Sequence, residues 1–166
     1  MKIIKLHNAF KIFALIIMGT ALLSCKQDAK EIPGPNDFSF AFMTDIHLQP
    51  ERDAEAGFRK AIDTVNKINP DFVITGGDLI MDALGQTYGR SDSLYNIYVN
   101  MIEEFEMPVY NTIGNHEIFG IYDGSGVPKD HPEYGDQMYE NRLTDRYYSF
   151  DIDSFQYHLH LPDPQK

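Results

Sequence analysis

The feature that most constrains this chain is the alternation of short apolar runs with amphipathic segments. Residues 38–43, 72–75 and 108–113 have the length and composition of buried strands, and apolar residues recur at helical spacing between them. Strand, helix, strand, helix, strand is the order of two consecutive crossover units. We therefore predict an α/β fold with a parallel sheet and helices packed on its faces. The predicted apolar helix faces contain Phe58, Ala61, Ile62, Val65 and Ile68, and Leu94, Tyr98, Met101, Ile102 and Phe105.

Local signals also mark the ends of the first helix and the later elements. Asp53 is the expected N-cap of this helix, and Asn69-Pro70 is expected to end it. The remaining predicted elements are a loop over 118–134, a short helix near 137–143, and a hairpin formed by 147–151 and 155–161.

Polar residues follow each of the three predicted strands directly. Asp45 and His47 follow the first strand, Gly77-Asp78 follows the second, and Gly114-Asn115-His116-Glu117 follows the third. In an open parallel sheet, ligands bind beyond the carboxyl ends of the strands. We therefore expect these side chains to converge on one site.

Each cluster alone also has a simple structural interpretation. Asp78 suits a turn or a helix cap after its glycines, His47 suits an ordinary loop, and Asn115 suits a left-handed turn. The combination, in this order and with each piece at a strand end, favours a single functional site.

These motifs resemble the first three signature blocks of the calcineurin-like metallophosphoesterase superfamily, over about residues 38–151. The resemblance implies a four-layer α/β/β/α sandwich that binds two divalent metal ions at the sheet edge. In this chain we expect only the first βαβαβ half and a hairpin. The resemblance also implies a metal-dependent hydrolase of phosphoric esters, either monoesters or diesters, that uses a bridging hydroxide.

The resemblance assigns four metal ligands. Asp45 and His47 would bind the first metal ion, Asp78 would bridge both ions, and Asn115 would bind the second. A carboxylate shared between two cations reduces their mutual repulsion. A neutral amide ligand adds no further negative charge at the place where a phosphate must bind. Mixed imidazole and carboxylate ligands favour Mn, Fe or Zn.

Two further residues carry catalytic roles in this resemblance. His116 would face the leaving-group oxygen and donate a proton to it, and Glu117 would orient the histidine. The expected substrate is a small phosphate ester. No P-loop or dinucleotide-binding glycine motif follows a strand, which disfavours those classes.

The superfamily pattern continues with a further histidine and a Gly-His-x-His block, and neither occurs in these 166 residues. His158-Leu159-His160 lacks the glycine and lies too close to Gly114, so we do not match it to that block. We therefore expect a truncated domain over 38–166. In it, the second ion would be weakly held and one face of the sheet uncovered. The alternative function is a non-catalytic envelope lipoprotein or an inactive fragment that retains the half-fold.

The first residues have the composition of a targeting signal. Lys2, Lys5 and Lys11 precede a short apolar run over 12–23, and the only cysteine, Cys25, follows Leu-Leu-Ser. We predict a lipoprotein signal peptide over 1–24, lipidation of Cys25 and a polar tether over 25–37. The protein is then expected to be exported and anchored to the lipid bilayer of the cell envelope. A plain secretory signal with an incidental cysteine, or an uncleaved anchor helix, remain alternatives.

Charge restricts the class of partner. The formal net charge is −11, and without residues 1–24 the chain has 11 Lys and Arg against 25 Asp and Glu, a net charge of −14. Such a surface repels a phosphate backbone, so we expect no nucleic-acid scaffold role. Divalent cations are the natural counterions of clustered carboxylates.

Overall fold

A computed structural model describes residues 37–152 and the backbone of residues 155–159. The predicted signal peptide over 1–24, Cys25 and nearly all of the tether lie outside the described residues. None of the helices that the structure describes has the length and apolar character needed to cross a membrane.

The predicted order of strands and helices is confirmed. Strands β1, β2 and β3 form a parallel sheet in the order β1-β2-β3, with Phe40 paired to Phe72 and Val73 paired to Val109. Strands β4 and β5 form a separate antiparallel hairpin. The strands are β1 (Phe40–Met43), β2 (Phe72–Thr75), β3 (Val109–Tyr110), β4 (Tyr148–Ile152) and β5 (Phe155–Leu159). The helices are α1 (Ala54–Ile68), α2 (Tyr88–Ile102) and α3 (Gln137–Arg142), with a 3-10 turn at Asp123–Ser125.

Helices α1 and α2 contribute to one hydrophobic core with the parallel sheet, and the predicted α/β fold is confirmed. Phe58 of α1 stacks on Tyr98 of α2, with ring centroids 6.0 Å apart. Ala41 and Val73 of the sheet contribute to the same core. Right-handed crossovers that advance in one direction along a sheet place successive helices on the same side.

The limits of α1 agree only partly with the local signals. Asn69 ends the helix in a left-handed conformation and donates its backbone N–H to the Val65 carbonyl. Asp53 occupies the N-cap position, but its backbone is also left-handed and its side chain makes no cap hydrogen bond. An N-cap side chain reaches the helix N–H groups from extended backbone, so the predicted N-cap position is confirmed but its side chain does not cap the helix. Ile68 is 70% exposed because it lies about 80° around the helix from Phe58.

Strand β3 is shorter than predicted, because its pairing with β2 ends at Ile74 and Tyr110. Side-chain hydrogen bonds join the two segments beyond that pair, at Thr75, Asn111 and Thr112. Helix α2 likewise ends before Phe105, which is nonetheless buried.

The other face of the sheet is aromatic and only partly covered. Phe150 of β4 stacks on Tyr110 with ring centroids 3.5 Å apart and contacts Phe72 edge-on. Phe40 and Phe42 of β1 are 50% and 62% exposed.

Two isoleucines of α1 provide a matched test of this core. Ile62 is 1% exposed, so Ile62→Ala should lower the free energy of unfolding by about 2–5 kcal/mol through lost burial and a residual cavity. Ile68→Ala makes the same chemical change at an exposed position and should stay within about 0.5 kcal/mol of the unmodified chain. Urea denaturation measures both, and equal losses would contradict the core described here.

Candidate metal centre

The loops after β1 and β2 run side by side at the carboxyl edge of the sheet. His47 donates its backbone N–H to the Asp78 carbonyl at 2.9 Å, and Leu48 donates to the Leu79 carbonyl at 3.0 Å. Asp45 donates to the Gly77 carbonyl at 3.3 Å. The first two predicted clusters therefore meet through their backbones, as expected from parallel strands.

Three of the four predicted metal ligands have left-handed backbone. The φ angles of Asp45, His47 and Asp78 are 55°, 48° and 52°. This conformation is uncommon for residues other than glycine, and strained backbone concentrates at functional sites. The hydrogen bonds between the two loops hold His47 and Asp78 in this conformation.

Asp78 lies between two histidines. Its Oδ1 accepts the backbone N–H of His116 at 3.2 Å, and its Oδ2 lies 3.9 Å from His47 Nε2. The imidazole rings of His47 and His116 meet edge to face, with centroids 4.6 Å apart. One ligand atom from each of these three residues lies within 4.8 Å of the other two, and all three residues are half-buried.

The other two predicted ligands are exposed. Among the described residues, the only group of three or more potential His, Cys, Asp or Glu ligands consists of His47, Asp78 and His116, so Asp45 is not included. Asp45 Oδ2 accepts a hydrogen bond from the Thr44 hydroxyl at 2.9 Å. Asn115 directly precedes His116 on the third loop. Metal ligation by Asp45 and Asn115 stays a prediction, and His116 becomes a ligand candidate that sequence reasoning had assigned only to proton transfer.

Close backbone contact holds the second and third loops together. A Cβ atom on Gly77 would lie 2.6 Å from Gly114 Cα, and one on Gly114 would lie 2.3 Å from Asp78 Oδ1. Gly77 also has a φ of 85°, which residues with side chains rarely adopt. Glycine is therefore required at both positions for Asp78 to lie beside His116.

Glu117 is fully buried and has a different role from the predicted one. Its Oε2 accepts the backbone N–H groups of Asp78 at 2.9 Å and Gly114 at 2.6 Å. Its Oε1 accepts those of Leu79 at 2.7 Å and Ile80 at 3.2 Å. Burial raises the pKa of this carboxyl, although the four amide donors act in the opposite direction. Glu117 thus orders the backbone of two loops.

The His116 ring is oriented by the loop that follows Asp78. Its Nδ1 forms a short hydrogen bond with the Met81 carbonyl oxygen, and the His116 carbonyl accepts the Ala83 N–H at 2.8 Å. Since a carbonyl only accepts, Nδ1 carries the proton in this contact. A backbone carbonyl therefore performs the orienting role that was predicted for Glu117.

The donor set suits a divalent transition metal. Two imidazoles and one carboxylate converge from three loops, and their positions are fixed by backbone hydrogen bonds and by the Met81 carbonyl. This combination of nitrogen and oxygen ligands suits Mn, Fe or Zn better than Ca. Carbonyl partners of ligand histidines are common around metal sites because they fix the ring and its tautomer.

Comparison with known proteins agrees with this geometry. The family model for calcineurin-like phosphoesterase matches residues 38–160, which is most of the chain. The chain belongs to the calcineurin-like phosphoesterase family. The match includes all six predicted site residues of the three loops, from Asp45 to Glu117.

A solved structure is also similar to this phosphoesterase domain. A dimetal phosphatase from Danio rerio is 19% identical, with a TM-score of 0.41, and the match covers 48% of this chain and 30% of that one. No curated protein matches the chain significantly. The family assignment therefore depends on the family model.

Replacement of Glu117 tests the backbone arrangement of the phosphoesterase domain without any metal. Glu117→Gln keeps the shape but leaves one acceptor oxygen for four N–H groups. It should therefore lower the free energy of unfolding by about 2–3 kcal/mol in buffer with chelator. Glu103→Gln, at an exposed residue after α2, is the matched control. A loss no larger than that of the control would show that these four contacts contribute nothing.

Proposed function

We propose that this domain is a metal-dependent hydrolase of phosphoric esters. The observation that carries the proposal is the convergence of His47, Asp78 and His116 at the carboxyl edge of the sheet. These residues lie within the matched calcineurin-like phosphoesterase region.

Different residues of this site would bind each of the two metal ions. Asp78 is the candidate shared ligand because it lies between the first and third loops. His47 and Asp45 would hold one ion from the first loop, and Asn115 would hold the other from the third. Such ions, when bound, activate a water molecule as nucleophile and neutralise charge on the phosphoryl oxygens.

His116 is the candidate proton donor to the leaving group, and in this role it lies beside the metal ions without binding one through Nε2. With Nδ1 bonded to the Met81 carbonyl, Nε2 is the nitrogen that remains for exchange of a proton with substrate. In the cationic ring both nitrogens carry protons, so Nε2 can donate without loss of the Nδ1 contact. The carbonyl thus keeps the ring in one orientation through the proton transfer.

We further propose that the substrate is a small phosphate ester. The chain carries a net charge of −11, which repels long polyanions. The charge of the metal ions would act locally on a single phosphate at the half-buried centre.

Exchange of His47 gives the direct test of this proposal. The chain should bind Mn²⁺ in calorimetry and hydrolyse p-nitrophenyl phosphate or bis-p-nitrophenyl phosphate with Mn²⁺. His47→Ala should weaken Mn²⁺ binding by more than about 100-fold, the upper end of what the loss of an outer partner costs. His131→Ala, at a histidine packed between Tyr88 and Phe119, is the matched control and should bind Mn²⁺ normally.

Three results separate the competing functions. Loss of Mn²⁺ binding and of ester hydrolysis in His47→Ala, but not in His131→Ala, supports the metal-dependent hydrolase. Normal Mn²⁺ binding by the unmodified chain without turnover of either ester would instead favour the alternative, a non-catalytic envelope lipoprotein or an inactive fragment. Equal Mn²⁺ affinity in both histidine variants would place the metal elsewhere.

We also propose that the domain is held at the cell envelope by a lipid on Cys25, with the polar residues 26–37 as tether. The support is the sequence alone: a basic start, an apolar run too short for a comfortable membrane span, and a single cysteine directly after it.

Substitution of Cys25 separates lipidation from its alternatives. The unmodified chain should incorporate a labelled fatty acid and fractionate with membranes in a bacterial host, and Cys25→Ser should do neither. Ser24→Ala keeps a small residue before the cysteine and should behave as the unmodified chain. If the Cys25→Ser variant incorporates no labelled fatty acid but stays in the membrane fraction, an uncleaved anchor helix is indicated instead.

A further inference from the structure

We propose that Asn111 is a positioning residue, which sets the separation of Asp78 from Asn115 through a buried hydrogen bond to Tyr98. This inference rests on the proposed function, since it assigns Asn111 a role in metal binding. Asn111 lies at the point where β2 and β3 stop pairing and their two loops diverge toward the site.

Two buried hydroxyl groups hold the side chain of Asn111. Tyr98 of α2 donates its hydroxyl to Asn111 Oδ1 at 2.6 Å, and the Thr75 hydroxyl lies 3.3 Å from the same oxygen. Tyr98 is fully buried, and Thr75 and Asn111 are 1% and 7% exposed. Burial raises the pKa of the Tyr98 phenol, so this group stays a neutral donor.

This cluster replaces the strand ladder at the place where the ladder ends. The last paired residues are Ile74 and Tyr110, and the next pair in register is Thr75 and Asn111. The Thr112 N–H donates to Thr75 Oγ1 at 3.3 Å. These side-chain bonds take the place of ladder bonds between the two segments.

The cluster lies directly before the metal loops. Asp78 follows Thr75 by three residues, and Asn115 follows Asn111 by four. The Gly77–Gly114 contact fixes the loops at one point, and the Thr75–Asn111 bridge fixes them at a second. The bonds of Glu117 and the Asp78–His116 contact hold the loops nearer the site, so the Thr75–Asn111 bridge sets how the loops leave the sheet. A change at Asn111 should therefore alter the spacing of Asp78 and Asn115.

Two buried tyrosines provide a matched experiment. Tyr98→Phe removes only the hydroxyl that holds Asn111, while the ring stays in the core. Tyr139→Phe makes the same change at a fully buried tyrosine whose hydroxyl has no hydrogen-bond partner among the described residues. The two variants lose the same atom from equally buried rings, so they differ in the contact to Asn111.

The first readout uses the full chain without metal. Amide hydrogen exchange over residues 76–80 and 113–117 should be faster in Tyr98→Phe than in the unmodified chain, and unchanged in Tyr139→Phe. Equal protection of these two segments in both tyrosine variants would overturn the positioning role.

The second readout is Mn²⁺ affinity by calorimetry. Tyr98→Phe should weaken it about tenfold, as expected for a residue that acts through others, while Tyr139→Phe should leave it unchanged. In an Asn111→Ala background, Tyr98→Phe should weaken it no further, because Tyr98 acts through that side chain. Additive losses in this cycle would show that Tyr98 does not act through Asn111.

The two measurements distinguish failure of the proposed function from failure of the inference about Asn111. Absence of Mn²⁺ binding by the unmodified chain would contradict the proposed function, and the exchange measurement would still decide whether Tyr98 orders the two loops. Normal Mn²⁺ affinity in Tyr98→Phe, with binding present in the unmodified chain, would overturn the inference about Asn111 alone.

Discussion

The geometry of this site depends on one buried carboxylate. Glu117 accepts four backbone N–H groups, three from the loop after β2 and one from the loop after β3. Buried N–H groups without acceptors are costly, and the strained turn at Gly77-Asp78 has no regular ladder to provide them. The carboxylate supplies these acceptors and allows Asp78 to adopt its left-handed conformation beside His116.

The same requirement explains the pattern of glycine and strained residues around the site. Parallel strands end about 4.8 Å apart, whereas the loops must bring side chains from all three strands close together. Gly77 and Gly114 allow the second and third loops to touch, and the left-handed Asp45 and His47 turn the first loop alongside the second. The cost of these conformations, about 1–2 kcal/mol for each non-glycine residue, is offset by hydrogen bonds between the loops.

Sequence periodicity was sufficient to predict the elements that position the site. Buried runs and helical spacing predicted the β1-α1-β2-α2-β3 order because burial repeats within each element. Details that depend on distant partners were not predictable. Ile68 fits the apolar pattern but lies at the edge of the buried face. Just beyond the early end of β3, a side-chain hydrogen bond joins Asn111 to Thr75, 36 residues away, and no local signal connects them.

The role of Glu117 shows why a motif alone does not define a mechanism. Its position next to His116 suggested that it orients the imidazole, yet three of its four partners are 37 to 39 residues away, at Asp78, Leu79 and Ile80. Neighbouring residues in a chain need not share partners, and here the ring bonds to the Met81 carbonyl while the carboxylate enters the core. The two residues are adjacent in the chain but have different contacts and different roles. The His116 ring lies beside His47 and Asp78 at the candidate metal centre, and Glu117 holds the backbone that places Asp78 against His116.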